Sequence, residues 1–167
     1  VSIFEIKLFL DMSYDLIVLG SGPGGYVAAI RASQLGMKVG VVEKSELGGV
    51  CLNWGCIPTK ALLKSAQVFD YLNHAGDYGL AIEGQPKADL PAMVKRSRGV
   101  AEGMSKGVQF LFKKNKIDLI QGFGKVMPGK KVEVKAEDGK TTTYEAEHII
   151  IATGARSRQL PNLPIDG

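Results

Sequence analysis

The chain has 167 residues, enough for one domain of about 150 residues with a real core. Its 45% hydrophobic and 23% charged content excludes an intrinsically disordered chain, and it has no apolar run of the roughly 18 residues a membrane span needs. A net charge of +4, with the positive residues scattered apart from Lys113, Lys114, Lys116, Lys130 and Lys131, argues against a nucleic-acid binder.

Residues 1–11 are apolar but broken by Glu5 and Lys7, without a positive start or a cleavage site, so they read as an appended or upstream segment and not as a signal peptide. The native start is expected at Met12, and residues 12–167 are expected to form the domain. From Tyr14 to Leu19 a nearly continuous apolar run suits a strand buried on both faces. It feeds the turn Gly20-Ser-Gly-Pro-Gly-Gly25. A helix is expected over Tyr26 to Leu35, with the small residues Ala28, Ala29 and Ala32 letting it lie close to a sheet and Gly36 following its end. Lys38 to Glu43 reads as a second strand, which makes a β-α-β unit with a parallel sheet.

Residues 48–60 interrupt the pattern. Ala61 to Asn73 reads as helix, and Ala92 to Asn115 as another, started by Asp89 and Pro91, with Met93, Val100, Met104 and Leu111 at helical spacing. The period then changes to that of strands. Ile117–Val126 and Lys131–Lys135 are expected strands, Glu137-Asp-Gly139 is a hairpin turn, Thr141–Glu145 returns, and His148–Ala152 is a further buried strand ending at Thr153-Gly154.

Two constellations carry chemistry. Gly20-x-Gly22-x-x-Gly25 has the spacing of a dinucleotide-binding turn, in which the glycines permit a tight turn, close approach of backbone to a pyrophosphate and close helix packing. Because it joins a strand to a helix, the helix N-terminus faces the phosphates. Glu43, about twenty residues on, stands where a carboxylate accepts hydrogen bonds from an adenosine ribose and would repel a 2′-phosphate.

Cys51-x4-Cys56 is the second. Two thiols with the distant His74 and His148 fall short of a structural zinc set, so no metal is expected. An undistorted helix separates such residues by about 7.5 Å of rise, beyond the roughly 7 Å Cα limit for a disulfide. A bridge therefore needs a distorted first turn, which Gly55 and Pro58 can supply. So short a loop contributes little to stability and favours a redox role, with two ordinary buried cysteines as the alternative.

The segment Gly48-Gly-Val-Cys-Leu-Asn-Trp-Gly-Cys-Ile-Pro-Thr-Lys60 closely resembles the active-site disulfide segment of the flavin disulfide reductases. The combination of Leu52, Ile57 and Thr59 resembles the members that act on dihydrolipoamide, whereas glutathione and mercuric reductases usually carry Val at the first two. Val50 stands where Thr is usual and Trp54 where Val is common. The resemblance runs from Tyr14 to the end and takes in Gly122-Phe-Gly124 and Ala152-Thr-Gly-Ala155.

The resemblance implies an α/β, Rossmann-like FAD-binding domain with a central parallel sheet, helices and an inserted β-meander. It also implies oxidation of protein-bound dihydrolipoamide, with NAD+ as acceptor and co-substrate, through a Cys51–Cys56 redox disulfide. Cys51 would be the interchange thiol and Cys56 the thiol against the flavin, with Lys60 near the flavin N5 edge. Gly20, Gly22, Pro23, Gly24, Gly25, Glu43 and Lys44 would hold the ADP part of non-covalent FAD. Gly49 and Val50 would lie beside it, Gly124 would approach the adenine, and Ala152, Thr153 and Gly154 would contact the cofactor at their strand end. The implied partners are the lipoyl domain of a 2-oxo acid dehydrogenase complex and a second subunit, with a cytoplasmic location. The alternatives are another flavin disulfide reductase, or a FAD-binding module without turnover of its own, since the family's NAD domain, dimerisation domain and His–Glu base match nothing in this sequence.

Overall fold

A computed structural model describes residues 13–163 and 165; the segment 1–11 and the expected start at Met12 lie outside them. The strands are β1 (Ser13–Leu19), β2 (Val39–Glu43), β3 (Asp118–Gln121), β4 (Phe123–Met127), β5 (Lys131–Lys135) and β6 (Thr141–Ile151). The helices are α1 (Pro23–Gln34), α2 (Gly49–Asn53), α3 (Cys56–Asn73) and α4 (Leu90–Lys114), with a 3₁₀ turn at Ala75–Tyr78. The strand order is β3-β2-β1-β6-β5-β4. β3, β2, β1 and β6 run parallel, and β4 and β5 are antiparallel. This is the expected mixed α/β architecture.

Alternation along β1 explains the continuous apolar run. Leu16 and Val18 face a core shared with Ala29 and Ala32 of α1, Leu52 of α2 and Val108 and Phe112 of α4. Ile17 and Leu19 face a second core with Val42, Ile120, Val132, Val134 and Ala146. Ile17, Val18 and Val41 are fully buried, and each such side chain contributes roughly 1.5–3 kcal/mol of hydrophobic stabilisation. The second core lies between the parallel sheet and the meander. Gly124 of β4 sits so close over Leu19 and Val42 that a Cβ there would come within 2.7 Å of Leu19 Cδ2.

Four expectations need correction. The single strand expected over Ile117–Val126 is two: at Gly122 (φ +144°) the chain leaves the parallel sheet as β3 and starts the meander as β4. Conversely, Thr141–Glu145 and His148–Ala152 are one strand, β6, whose first residues pair antiparallel with β5 while Glu145–Ile151 pair parallel with β1. Nor is its last part buried among the described residues, since Ile151 is 68% exposed and His148 is exposed. On α4 the inward stripe is not Met93, Val100, Met104 and Leu111 but Ser97, Ala101, Ser105, Val108 and Phe112. Small side chains allow α4 to approach the redox segment closely, and Val100, Met104 and Leu111 are left exposed. Its start is as expected, with Asp89 accepting a hydrogen bond from the Ala92 amide at 3.0 Å and Pro91 in the first turn.

Candidate functional site

The carboxyl ends of β1, β2 and β6 lie side by side, and the segments leaving them carry most of the expected site residues. The Gly20–Gly25 turn follows β1, Glu43 ends β2 with Lys44 exposed beyond it, and Ala152-Thr153-Gly154 leaves β6 with the Ala152 amide bonded to the Leu19 carbonyl at 2.8 Å. In open α/β sheets ligands bind in the crevice outside these strand ends.

The turn glycines divide into two kinds. Gly20 (φ +94°) and Gly25 leave no room for a side chain, because a Cβ on Gly20 would meet the Ala152 carbonyl and one on Gly25 the Gly20 carbonyl. A Cβ on Gly22 or Gly24 would meet nothing within 4 Å. The turn is thus tight beneath and open above, where the uncapped N-terminus of α1 at Gly22-Pro23 presents its dipole. That open cradle fits a pyrophosphate.

Glu43, 8% exposed, is held by protein donors. Its Oε2 accepts from the Ser21 amide at 2.9 Å and the Ser21 hydroxyl at 2.6 Å, and its Oε1 accepts from the Ser45 amide at 2.9 Å. An ionised carboxylate has about four acceptor positions, so these three bonds leave capacity on Oε1 for a ribose hydroxyl. Gly124 has a packing reason for being glycine, since it sits over Leu19 and Val42 near the ends of β1 and β2.

The redox segment is more ordered than the sequence suggests. The helix expected from Ala61 begins at Cys56, and the short α2 precedes it. Between them the chain breaks at Trp54-Gly55, where Gly55 has φ −122° and ψ −110°. The break brings Cys51 and Cys56 to 4.7 Å between Cα atoms, and they form a disulfide. The expected mechanism, a distorted first helical turn, is replaced by a change of helix.

Cys51 is half-buried and Cys56 exposed, which disposes of two ordinary buried cysteines. Lys60 is exposed on α3 one turn beyond Cys56, on the same face. Val50 and Trp54 are 63% and 54% exposed. α3, like α1, has no side-chain cap and presents its N-terminal dipole end, whereas the Gly48 and Gly49 amides at the start of α2 are taken up by the Ser21 hydroxyl and the Glu46 carbonyl. A positive end at Cys56 favours its thiolate once the pair is reduced.

Several residues that hold this segment escaped the sequence reading. The Asn53 carboxamide donates to the carbonyls of Leu47 and Gly49, both at 3.0 Å. From α4, the Ser105 hydroxyl donates to the Leu47 carbonyl at 3.0 Å, the Arg98 guanidinium to the Asn53 carbonyl at 3.0 Å and the Arg96 guanidinium to the Ala61 carbonyl at 2.8 Å. The four-residue spacing of Ser97, Ala101 and Ser105 was the available signal for a close-packed face. Among the described residues no group of three His, Cys, Asp or Glu could hold a metal ion, and no helix is long and apolar enough to cross a membrane.

A Gly-rich turn closing a β-α-β unit, with a short-loop disulfide set beside it on a broken helix, defines an α/β dinucleotide-fold protein built around a redox disulfide. The chain belongs to the pyridine nucleotide-disulphide oxidoreductase family, whose pattern matches residues 14–167. It is 54% identical to a dihydrolipoyl dehydrogenase of Rhizobium etli and 53% identical to that of Zymomonas mobilis, over 93% and 92% of this chain. It is 45% identical to the mitochondrial dihydrolipoyl dehydrogenase of Dictyostelium discoideum over 98% of its length. The chain spans only 33–35% of the length of these relatives.

Proposed function

We propose that this chain is the FAD-binding portion of a flavoprotein that oxidises protein-bound dihydrolipoamide to lipoamide with NAD+ as final acceptor. The observation that carries the reading is the Cys51–Cys56 disulfide seated beside an open, Gly-lined dinucleotide turn. The names of the relatives support the choice of substrate. When bound, FAD supplies the two-electron carrier between the dithiol pair and NAD+.

The protein's own residues do the rest. Gly20, Gly22, Pro23, Gly24, Gly25 and Glu43, with Lys44, Gly124, Ala152, Thr153 and Gly154 around them, bind the ADP part. A thiolate of the dihydrolipoamide attacks Cys51, the Cys51–Cys56 bond breaks, and Cys56 leaves as a thiolate. The second substrate thiol then displaces Cys51, so lipoamide departs oxidised and the pair stays reduced by two electrons. Lys60, one turn after Cys56 on α3, and the α3 N-terminus favour that thiolate. Gly49 and Val50 open the helix that carries Cys51. The partner would be a lipoyl domain of a 2-oxo acid dehydrogenase complex, the working form a homodimer, and the location cytoplasmic.

Two measurements test the reading. Protein refolded with excess FAD and desalted should keep flavin absorbance. The whole protein should form NADH from dihydrolipoamide, and fail to do so with Cys51→Ser. A colourless protein with full secondary structure would sink the cofactor assignment.

A further inference from the structure

Between the ribose carboxylate and the redox segment stands one fully buried polar side chain, Ser21, the second residue of the Gly-rich turn. Its hydroxyl donates to Glu43 Oε2 at 2.6 Å and accepts the Gly48 amide at 3.1 Å. A hydroxyl has one proton to give, so this arrangement commits it to Glu43 and leaves its lone pairs to Gly48. Gly48 is the N-cap of α2, three residues before Cys51, and adopts a left-handed conformation (φ +99°). The next residue, Gly49, packs on the same turn, where a Cβ would lie 2.7 Å from Gly22 Cα. No other side chain reaches from Glu43 to the redox segment among the hydrogen bonds of the described residues.

We propose that Ser21 is a positioning residue that couples occupancy of the adenosine-ribose site at Glu43 to the reactivity of the Cys51–Cys56 disulfide. The inference rests on the cofactor reading above. A ribose hydroxyl on Glu43 fixes the carboxylate, the carboxylate fixes the Ser21 hydroxyl, and the hydroxyl fixes the Gly48 amide from which α2 and Cys51 start. Hydrogen bonds chained in this way in a buried site polarise and orient one another. Ser21 touches no reacting atom, so its effect appears as a linkage between two sites rather than as lost chemistry.

The test uses the whole protein stripped of flavin, with ADP as the probe. ADP carries ribose and pyrophosphate but no isoalloxazine ring to shield the disulfide. Reduction of Cys51–Cys56 by dithiothreitol is timed by alkylation and mass. In the wild type, saturating ADP should slow reduction by about fivefold or more, the low end of typical site-to-site coupling. Ser21→Ala should still bind ADP yet lose the slowing, and Ser21→Thr, which keeps the hydroxyl, should restore it.

A readout that needs no variant is hydrogen exchange at the Gly48 amide of the wild type, which ADP should slow by a similar factor of about five. ADP binding that leaves both disulfide reduction and Gly48 exchange unchanged overturns the role of Ser21 and leaves the cofactor site standing. A Ser21→Ala protein that keeps the full ADP effect also overturns it. Failure to bind ADP at all brings down the cofactor reading and this proposal with it.

Discussion

Gly49 rests backbone to backbone on Gly22, so that the redox segment and the nucleotide turn touch where neither has a side chain. Gly49 has φ +64°, and a Cβ there would come 2.7 Å from Gly22 Cα. Gly49→Ala therefore meets both backbone strain and a contact with main chain, which cannot swing aside. The expected loss is about 1–3 kcal/mol of stability, the range for a non-glycine residue held in such a conformation. Weaker FAD retention should accompany it. Thermal unfolding with and without FAD checks both, and an unchanged Gly49→Ala protein would contradict the packing described.

The two cysteines should respond differently in the whole flavin-loaded protein. Cys51→Ser leaves Cys56 free at the N-terminus of α3 and should keep a long-wavelength thiolate-to-flavin absorbance, whereas Cys56→Ser should lack it. Both should lose dihydrolipoamide turnover. Visible spectra of the two variants decide the assignment, and the reverse pattern would exchange the two roles.

Asn53→Ala removes both bonds that tie the carboxamide to Leu47 and Gly49. At a net value of about 0.5–1.5 kcal/mol per hydrogen bond, the loss in urea unfolding should be roughly 1–3 kcal/mol. With both ties gone, and only the Ser105 hydroxyl still on the Leu47 carbonyl, the stretch before Cys51 would loosen, so faster reduction of the disulfide should go with the lost stability. A destabilised protein with unchanged reduction kinetics would confine Asn53 to a structural role.

His74, at the C-terminal end of α3, is held above its ordinary pKa by a hydrogen bond to the Asp70 carbonyl and by the Asp70 carboxylate, with a smaller contribution from Asp77. Because the folded value is raised, the stabilisation is present at pH below the unfolded histidine value and fades as pH rises through the folded one. Asp70→Asn keeps the carbonyl bond and loses the carboxylate, so its His74 should titrate lower than in the wild type, though not back to a free histidine. Imidazole proton shifts followed against pH measure this.

The 167-residue chain alone should not form NADH from dihydrolipoamide, even with FAD bound. On the cofactor reading proposed above, its one GxGxxG turn is taken up by FAD. Neither histidine belongs to the redox segment, as His74 caps α3 and His148 stands exposed on β6. Side-by-side assay with the whole protein checks it, and comparable turnover by the 167-residue chain would show that its own residues complete the reaction.

The nucleotide turn was legible because its evidence is local. Gly20 and Gly25 owe their identity to contacts within or next to one turn, Gly22 follows from the motif spacing, and Glu43 from the β-α-β spacing. The α4 face was misread for the opposite reason. Apolar spacing picks out Val100 and Met104, yet the helix turns Ser97, Ala101 and Ser105 inward, small side chains that let the neighbouring backbone come close, with Ser105 donating to its Leu47 carbonyl. Likewise Thr141–Ile151 looks like two strands, since its pattern changes where its neighbours change from β5 to β1. Nothing in the sequence singles out Ser21 between its glycines; only the folded chain gives its hydroxyl two partners, Glu43 and the Gly48 amide.

The double membership of β6 carries a consequence for how the molecule comes into being. Of the described strands β6 comes latest in the chain, yet it pairs in parallel with β1, the earliest of them, and the Ala152 carbonyl just beyond its end closes over Gly20. A pairing between strands so far apart in sequence forms late, because the intervening loop must first be brought together. Cys51 and Cys56 are therefore synthesised well before the sheet beside them is complete. During that interval the thiols answer to the surrounding redox environment, and a nascent chain stalled before Thr141 would carry the pair beside a sheet that lacks β6.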